Sequence, residues 1–385
     1  MKKIIFISCL FCALKISAQS VGGEITHSNN TVTYQSAMAS VVKHKTIYKM
    51  AKGKELDNAS IDNDVYSVKL EEKAKQGNAA ALYTLSKVYR FGNGIKADKE
   101  LSKQYLVKSA EHGYVAAQYT LGVLYLNGWM VGKPQYDMAH KYFSLAANNG
   151  YIKAMFFVGV DFLLGRGISQ NTEKALFYLE NAAQENEESA LNLLGAIYRD
   201  GKYQQQDSIK AFECFKKSAS QGNADAQSYL GRCYIDAFGT EKDEKKAFDW
   251  FKKSANNGSA EGYYWLATCY KNGIGTASNS QEAFKLMMIS ANLGDGTAKA
   301  QIGLCYLDGE CVSKDEEEAF SWFIRAANQD DVLGQYCIGN CYLEGIGTEK
   351  NIQSGIVWLK KAAEAGFPPA INILKQLKQE ETKKR

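Results

Sequence analysis

Apolar and small side chains recur along the chain at the spacing of α-helices, in pairs of helical stretches separated by short turns. In the first stretch of each pair they occupy positions 1, 5, 8, 9 and 12, counted from the small residue that opens it. At 100° per residue these positions share one helix face. Only three prolines, Pro134, Pro368 and Pro369, occur among 385 residues, so helix breakers are nearly absent. The pattern predicts an all-α chain of short helices.

The paired stretches form an internal repeat. The spacing between successive opening residues is 36, except for one spacing of 37, and the openings are Ala81, Ala117, Ala154, Ala190, Ala226, Gly262, Ala298, Gly334 and Ala370. Such a period indicates a repeat architecture in which each unit covers the exposed flank of its neighbour. We therefore predict eight helical hairpins that stack to form a continuous core.

Each unit carries the same local signals. Helix A contains a Leu-Gly or Ile-Gly pair followed by tyrosine, as in Leu230-Gly231 with Tyr234. A glycine turn such as Gly273-Ile274-Gly275 follows it, because glycine adopts the left-handed backbone that ends a helix. Helix B then carries a bulky residue, mostly aromatic, opposite small residues and ends at position 33. Glycine usually holds position 33, whereas Asn186 and Asp330 replace it in two units and tolerate the same backbone region.

We expect Gly and Ala at the facing positions to let helices A and B approach closely, with the bulky residue at position 25 filling the gap. That residue is Trp250, Trp322 or Trp358 in three units. The predicted organisation is a signal peptide at 1–18, a polar lead at 19–64, a capping helix at 65–80, eight repeats at 81–369, and a capping helix with a basic tail at 370–385. One short helix is expected near Ala37 to Met50.

The first eighteen residues have the pattern of a secretory signal. Lys2 and Lys3 precede an apolar run from Ile4 to Leu14, and small Ala18 follows. The run is too short to cross a bilayer as a helix. We expect cleavage after Ala18, a periplasmic or secreted location, and no integral membrane segment.

These residues and their spacing resemble the Sel1-like repeat family, a relative of the tetratricopeptide repeat, over roughly residues 81 to 370. The resemblance implies a right-handed superhelical solenoid of α/α hairpins with helix A on the concave side. It also implies a scaffold that binds other proteins, often in the bacterial envelope or outside the cell. Secreted cysteine-rich relatives staple helix A to helix B with two cysteines in each repeat, whereas the first three repeats here contain none.

Four cysteines occupy position 8 of helix A in successive repeats, namely Cys233, Cys269, Cys305 and Cys341. A redox or metal-binding stripe is one interpretation, and Cys337, four residues before Cys341, fits it. Position 8 faces the core, however, where a free cysteine behaves as a small hydrophobic residue. Equivalent positions of stacked helices lie too far apart for a disulfide. We therefore favour the core interpretation.

Candidate catalytic and cofactor motifs are incomplete. Ser40-Val41-Val42-Lys43 matches the S-x-x-K of penicillin-interacting enzymes, but no S-D-N or K-T-G accompanies it. The loop Gly128 to Pro134 lacks the spacing and the Ser or Thr of a phosphate loop. The four histidines form no close pair at metal-ligand spacing. A net charge of +4 spread over the chain argues against nucleic acid as a partner. We expect no enzyme activity, no cofactor and no metal.

Positions 3, 7 and 10 of helix A point away from the predicted core, and several are apolar or cationic. A groove of exposed side chains there would bind a protein or peptide, and cations at Arg90, Arg199 and Lys271 would suit an acidic partner. The alternative is that part of this stripe is core between repeats. The candidate groove residues are Tyr83, Lys87, Tyr119, Val123, Phe156, Val160, Arg232, Tyr264 and Tyr336.

The sequence therefore predicts a non-catalytic scaffold or adaptor in the envelope or outside the cell. One alternative is a cell-wall-related enzyme or penicillin-binding protein on the same fold, which would require a nucleophile beside a base. Another is a purely structural envelope spacer with no dedicated groove. The repeat pattern leaves the binding partner and the oligomeric state open.

Overall fold

The computed structural model describes residues 65–130 and 132–384, with side chains up to residue 379. This part of the chain contains eighteen helices and no strand. In chain order they are α1 Val68–Lys75, α2 Ala79–Phe91, α3 Lys99–Glu111, α4 Val115–Leu126, α5 Tyr136–Asn148, α6 Ile152–Leu164, α7 Thr172–Gln184, α8 Glu188–Asp200, α9 Ser208–Ser220, α10 Ala224–Asp236, α11 Glu244–Asn256, α12 Ala260–Asn272, α13 Ser280–Asn292, α14 Gly296–Asp308, α15 Glu316–Ala327, α16 Val332–Glu344, α17 Ile352–Glu364 and α18 Pro368–Lys384. The all-α repeat prediction is confirmed.

The even-numbered helices from α2 to α16 are the A helices, and each begins two residues before the small residue that marks its repeat. The odd-numbered helices from α3 to α17 are the B helices. The chain divides into two compact units. Residues 65–197 with 201–205 form the N-terminal unit, and residues 198–200 with 206–384 form the C-terminal unit, within the described residues. In both units an A helix packs on its own B helix, and that B helix packs on the next A helix.

The start of each B helix is fixed by a short polar side chain. Seven of the eight have Asp or Asn at the N-cap, and its side-chain oxygen accepts a hydrogen bond from a peptide N–H in the first turn. The peptide N–H of the same residue donates to the carbonyl at position 9 of helix A, as in Asp243 to Tyr234 at 2.9 Å. Together these two hydrogen bonds fix the length of the turn between helix A and helix B.

Left-handed residues end the helices where the sequence predicts them. The turn glycines Gly92, Gly165, Gly273 and Gly345 all have φ between 68° and 76°. Asn186 and Asp330, which replace glycine at position 33, have φ of 60° and 59°. The predicted backbone role of both substitutes is confirmed.

Helices A and B touch at the glycine of the Leu-Gly or Ile-Gly pair. A methyl group on Gly231 would stand 2.5 Å from a ring carbon of Phe251, and one on Gly303 would stand 2.6 Å from a ring carbon of Phe323. The residue that fills this contact is therefore at position 26. The prediction that position 25 fills it is wrong by one residue, because Trp250 and Trp358 are only partly buried. The fully buried rings are Phe143, Phe215, Phe251 and Phe323.

The predicted signal peptide, the polar lead, the helix near Ala37 to Met50 and Ser40 to Lys43 lie outside the described residues. At the other end, α18 begins on Pro368, where a missing N–H costs nothing. It continues to Lys384 through most of the segment expected as a basic tail.

Several A helices begin on an acidic N-cap that is partly buried. Glu187 accepts a hydrogen bond of 2.6 Å from the peptide N–H of Ala190. Burial raises the pKa of the Glu187 carboxyl to about 7, although this hydrogen bond acts in the opposite direction. Burial likewise raises the pKa of Asp295 to about 6 and the pKa of Asp331 above its usual range. Burial thus works against the charged form of each of these caps.

Substituting Gly231 by Ala should destabilise the C-terminal unit by about 1–3 kcal/mol, because the added methyl overlaps the Phe251 ring. Repeat six contains Ala267 with Met287 at the corresponding positions, both buried. Gly231→Ala combined with Phe251→Met should therefore recover much of the loss. The free energy of unfolding in urea measures both effects. A single Gly231→Ala variant as stable as the unmodified chain would refute the close contact.

Glu187 should make the chain less stable as pH rises. Its folded pKa of about 7 lies above its ordinary value of 4.5, so the folded state binds the proton more tightly than the unfolded state. The stabilisation is complete below pH 4.5 and is lost as pH rises to about 7. Glu187→Gln keeps the capping oxygen and removes the titration. Urea unfolding at pH 4.5 and 7.5 should show the unmodified chain losing up to about 3 kcal/mol relative to the variant, a loss that solvent screening of the partly exposed carboxyl reduces. Parallel pH profiles for both proteins would contradict the assignment.

Candidate functional site

Five of the nine predicted groove residues are buried. Their side chains are between 1% and 5% exposed, and they are Tyr119, Val123, Phe156, Val160 and Tyr336. The expectation that this stripe is exposed is wrong for these five residues. An A helix touches neighbouring helices on two sides, so positions 3 and 7 are largely covered. These residues contribute to the core between repeats.

Aromatic rings at the start of the following A helix cover three of the position-3 tyrosines. Tyr119 lies 4.7 Å from Tyr151, measured between ring centroids, and Tyr336 lies 5.1 Å from Phe367. In the first repeat, Tyr83 lies 5.2 Å from Tyr114. Tyr114 and Tyr151 occupy the N-caps of α4 and α6 and form no side-chain capping hydrogen bond. At these sites a ring contact replaces a polar cap.

The other four predicted groove residues, Tyr83, Lys87, Arg232 and Tyr264, are partly exposed. In the N-terminal unit the Lys87 ammonium stands 5.3 Å from the centre of the Tyr83 ring. Tyr83 also shares a hydrogen bond of 3.3 Å with the Thr120 hydroxyl. This pair joins the first two repeats and leaves a cation at the surface of the A helices.

The C-terminal unit has a more extended arrangement of cations on rings. The Arg199 guanidinium lies 4.8 Å from the centre of the Tyr229 ring in the next repeat. One repeat further on, the Arg232 guanidinium lies 5.3 Å from the Trp265 ring. Stacking on an aromatic face attracts a guanidinium and limits its motion. Two successive repeats thus each hold an arginine on the position-4 ring of the next repeat, Arg199 from position 10 and Arg232 from position 7.

Carboxylates flank both arginines. Arg199 Nε donates to Asp200 Oδ1 at 2.8 Å. Arg232 Nη1 lies 3.6 Å from Glu261 Oε1, and the Trp265 indole N–H donates to the same oxygen at 3.3 Å. The side chains of Arg232 and Glu261 are 26% and 30% exposed, so solvent reaches this pair. We call Arg199, Arg232, Glu261 and Trp265 the cation–ring surface; the Arg199 side chain is 16% exposed and stacks on Tyr229, which is buried.

Sequence reasoning found the two arginines of this surface and missed their rings. Tyr229 and Trp265 both stand at position 4 of helix A, which the repeat pattern does not single out. The sequence does contain a signal for these rings, because a cation on the A helix of one repeat is followed by an aromatic residue at position 4 of the next repeat. Lys271, also predicted here, lies 4.0 Å from Glu310 of the next repeat.

The cysteine column lies in the core, as the sequence predicts. Cys233, Cys269, Cys305 and Cys341 are between 1% and 3% exposed. Burial raises the pKa of each of these thiols to about 12. Thiolates are the reactive and metal-binding form of cysteine, so burial disfavours that form at all four positions.

A polar chain of Ser144, His140 and Asp161 interrupts the core of the N-terminal unit. His140 Nδ1 lies 3.2 Å from Asp161 Oδ2, and Ser144 Oγ lies 3.3 Å from His140 Nε2. Burial raises the pKa of Asp161, and its hydrogen bond with His140 acts in the opposite direction. Asp161 is at position 8, where other repeats have Val, Leu, Ile or Cys. Sequence reasoning missed it, although a carboxylate in an apolar column is a readable signal.

The three groups follow the order of a Ser-His-Asp triad. Ser144, however, lies inside α5, where helical hydrogen bonds engage the peptide N–H groups around it. The backbone at the serine therefore supplies no pair of N–H donors to stabilise an oxyanion. The arrangement can hold a proton between His140 and Asp161, and it anchors α5 to α6.

Within the part of the chain that the structure describes, no three His, Cys, Asp or Glu side chains lie close enough together to hold a metal ion. None of the helices described combines the length and apolar character needed to cross a membrane.

Comparison with known proteins identifies the repeat. A family model described as the Sel1 repeat matches eight segments, at residues 79–114, 115–151, 152–187, 188–223, 224–259, 260–295, 297–331 and 332–367. Seven of these matches begin at the first residue of an A helix, two residues before the small residue that opens the repeat, and the match at 297 begins one residue before Ala298. A search of curated proteins finds no match.

Two solved structures are similar over most of the chain. A protective antigen present in uropathogenic Escherichia coli strains is 30% identical, with a TM-score of 0.61 over 78% of this chain. The match spans 65% of the length of that antigen. A Sel1 repeat protein from Oxalobacter formigenes is 29% identical, with a TM-score of 0.58 over 87% of this chain and 94% of its own. Eight matched repeats and these neighbours lead to one conclusion: the chain belongs to the Sel1 repeat family.

Proposed function

We propose that this protein is a non-catalytic scaffold that binds a protein or peptide through the cation–ring surface. Sel1 repeat proteins generally mediate protein–protein interactions. The observation that carries the proposal for this chain is the repeated stacking of an arginine on a ring of the next repeat, at Arg199 with Tyr229 and Arg232 with Trp265. Arginine and aromatic residues are the side chains most often responsible for binding energy at protein interfaces.

The stacked arginines are suited to binding because their geometry is fixed in advance. A flexible arginine loses rotamer freedom when a partner arrives, whereas a stacked one has already lost part of it. Both stacks join neighbouring repeats, so the core that holds the repeats together also sets the spacing of the guanidinium groups. A partner with matching spacing would meet a preorganised surface.

An acidic segment fits this surface best. The distance of 3.6 Å between Arg232 and Glu261 exceeds that of a charge-assisted hydrogen bond. The guanidinium therefore retains donors for a second carboxylate. Lys271 adds a further cation on the A helices of the same unit. We propose a carboxylate-bearing protein or peptide as the partner.

The cell envelope or the exterior is the proposed location. It rests on the cationic start at Lys2 and Lys3, the apolar run from Ile4 to Leu14 and the small residue Ala18, which together have the pattern of a cleaved signal. Fractionation of the native cells followed by N-terminal analysis tests this part, and we expect a mature chain beginning at Gln19.

The binding proposal is tested by affinity capture from the native cell envelope, followed by measurement of Kd with the captured protein. Arg199→Ala with Arg232→Ala should weaken binding more than tenfold, the usual loss when central arginines are removed. Lys253→Ala is the matched control, because Lys253 also stacks on a tryptophan, at 4.0 Å from the Trp250 ring, but on the B helix α11. Equal Kd values for all three proteins would sink the surface assignment.

A second candidate function is that of a cell-wall-related enzyme or penicillin-binding protein. One observation favours it, namely that Ser144 Oγ lies 3.3 Å from His140 Nε2 and that His140 in turn contacts Asp161. A serine beside a base oriented by a carboxylate is the arrangement of many nucleophilic enzymes. The position of Ser144 inside α5 weighs against this candidate, because acyl transfer needs oxyanion donors.

Fluorescent penicillin distinguishes the two functions. The scaffold proposal expects no covalent label on the full chain, and the same result for Ser144→Ala. Label on the unmodified chain that disappears in Ser144→Ala would establish the enzyme. Circular dichroism of both proteins should show equal helix content, so that a lost label cannot be attributed to unfolding.

A further inference from the structure

Two cysteines of the seventh repeat are in contact. Cys305 Sγ, near the end of α14, lies 3.2 Å from Cys311 Sγ in the turn that follows. Both are thiols in the structure. Cys305 is buried, whereas Cys311 is partly exposed. The two residues are only six apart in the sequence, so closing a ring between them requires little further ordering of the chain.

Cys311 occupies a position where other repeats have the second glycine of the turn. That glycine has φ between 62° and 76° at Gly94, Gly167, Gly239, Gly275 and Gly347. In several turns it packs against the backbone of the preceding B helix, and a methyl on Gly275 would stand 2.2 Å from the Glu244 carbonyl oxygen. Cys311 does not share this positive φ. The turn of repeat seven therefore differs from the common turn and places a sulfur beside helix A.

We propose that Cys305 and Cys311 form a disulfide that ties the end of α14 to its turn. The oxidant is another disulfide, either glutathione disulfide or a disulfide-exchanging protein. Formation in the cell rests on the proposed envelope location, since cytosolic thiols are kept reduced. Formation in the purified chain does not depend on that location.

The chemistry proceeds by two exchange steps. Cys311, the exposed partner, loses its proton and attacks the oxidant disulfide, which forms a mixed disulfide and releases one thiol. Cys305 then attacks the Cys311 sulfur, the Cys305–Cys311 bond forms, and the second thiol leaves with the proton of Cys305. Two cysteine thiols and one disulfide thus give one protein disulfide and two small thiols. The second step is intramolecular, because the two sulfur atoms are already 3.2 Å apart.

The adjacent pair in the eighth repeat lacks this geometry. Cys337 and Cys341 are four residues apart on α16, which places their β-carbons about 5–6 Å apart. A disulfide needs about 3.5–4.5 Å between those atoms. This pair serves as an internal control in the same protein.

The bond would fix one edge of the A-helix surface. Glu310, next to Cys311, lies 4.0 Å from Lys271 on α12. Tying the turn to α14 would restrain the backbone of Glu310 and thereby the position of the side chain that makes this ion pair. The redox state of the pair would thereby affect how firmly repeats six and seven are joined at their surface.

Peptide mass spectrometry of the full chain tests the bond. The purified protein is treated with glutathione disulfide, quenched in acid, denatured, alkylated and digested with trypsin. Cleavage after Lys299 and Lys314 puts both cysteines on one peptide, 300–314. We expect that peptide without alkyl groups and lighter by two hydrogen atoms, and with two alkyl groups after prior reduction. The control peptide 326–350, with Cys337 and Cys341, should carry two alkyl groups in both samples.

Two variants identify the order of the steps. Cys305→Val matches Val88 at position 8 of the first repeat and should stop at a glutathione adduct on Cys311. Cys311→Ser should leave Cys305 unmodified and fully alkylated after denaturation. Two alkyl groups on peptide 300–314 of the oxidised, unmodified chain would overturn the inference. A bond in the purified chain but not in material isolated from cells would support the disulfide and contradict the envelope location.

Discussion

The close approach of helix A to helix B at one glycine determines the rest of the structure. Where Gly231 meets Phe251, no atom larger than hydrogen fits on the helix A side, so the ring lies directly against the backbone. Dispersion contacts of this kind are individually weak and collectively large. Because the same contact recurs, with Gly303 and Phe323 for example, each hairpin has nearly the same geometry. Hairpins of similar shape can stack on one another with nearly the same packing geometry at every interface.

This constraint explains why much of the fold is predictable from sequence. Small residues at a period of 36 mark the contact in each repeat, and left-handed residues such as Asn186 mark the turns. Which residue of helix B faces helix A is harder to predict. Trp250 and Phe251 are neighbours, 100° apart around the helix, and periodicity alone does not decide which faces helix A. The larger ring, Trp250, is the predicted contact, whereas the smaller ring, Phe251, is the one that the structure buries.

The candidate site was less predictable, because its properties arise between repeats. Tyr119 looks exposed when its own helix is considered alone, and the ring that covers it, Tyr151, belongs to the next repeat. The same holds for Arg232 and Trp265. A single helix pattern describes one face of one helix, whereas a repeat helix touches neighbours on two sides. Comparing columns between repeats would have revealed these pairs and the isolated Asp161.

The contact between a position-3 tyrosine and the N-cap residue of the next A helix affects how such a chain can gain or lose repeats. Tyr119 packs on a ring at the start of the following repeat, while the buried Asn192 of repeat four is followed by Asn223, which caps its helix with its own side chain. Duplicating or deleting a segment of 36 residues would keep the hairpin geometry. It would, however, place a different position-3 residue next to a different N-cap residue where the two repeats meet. Repeats of this chain are therefore interchangeable in backbone and not in sequence, and their order along the chain is itself encoded.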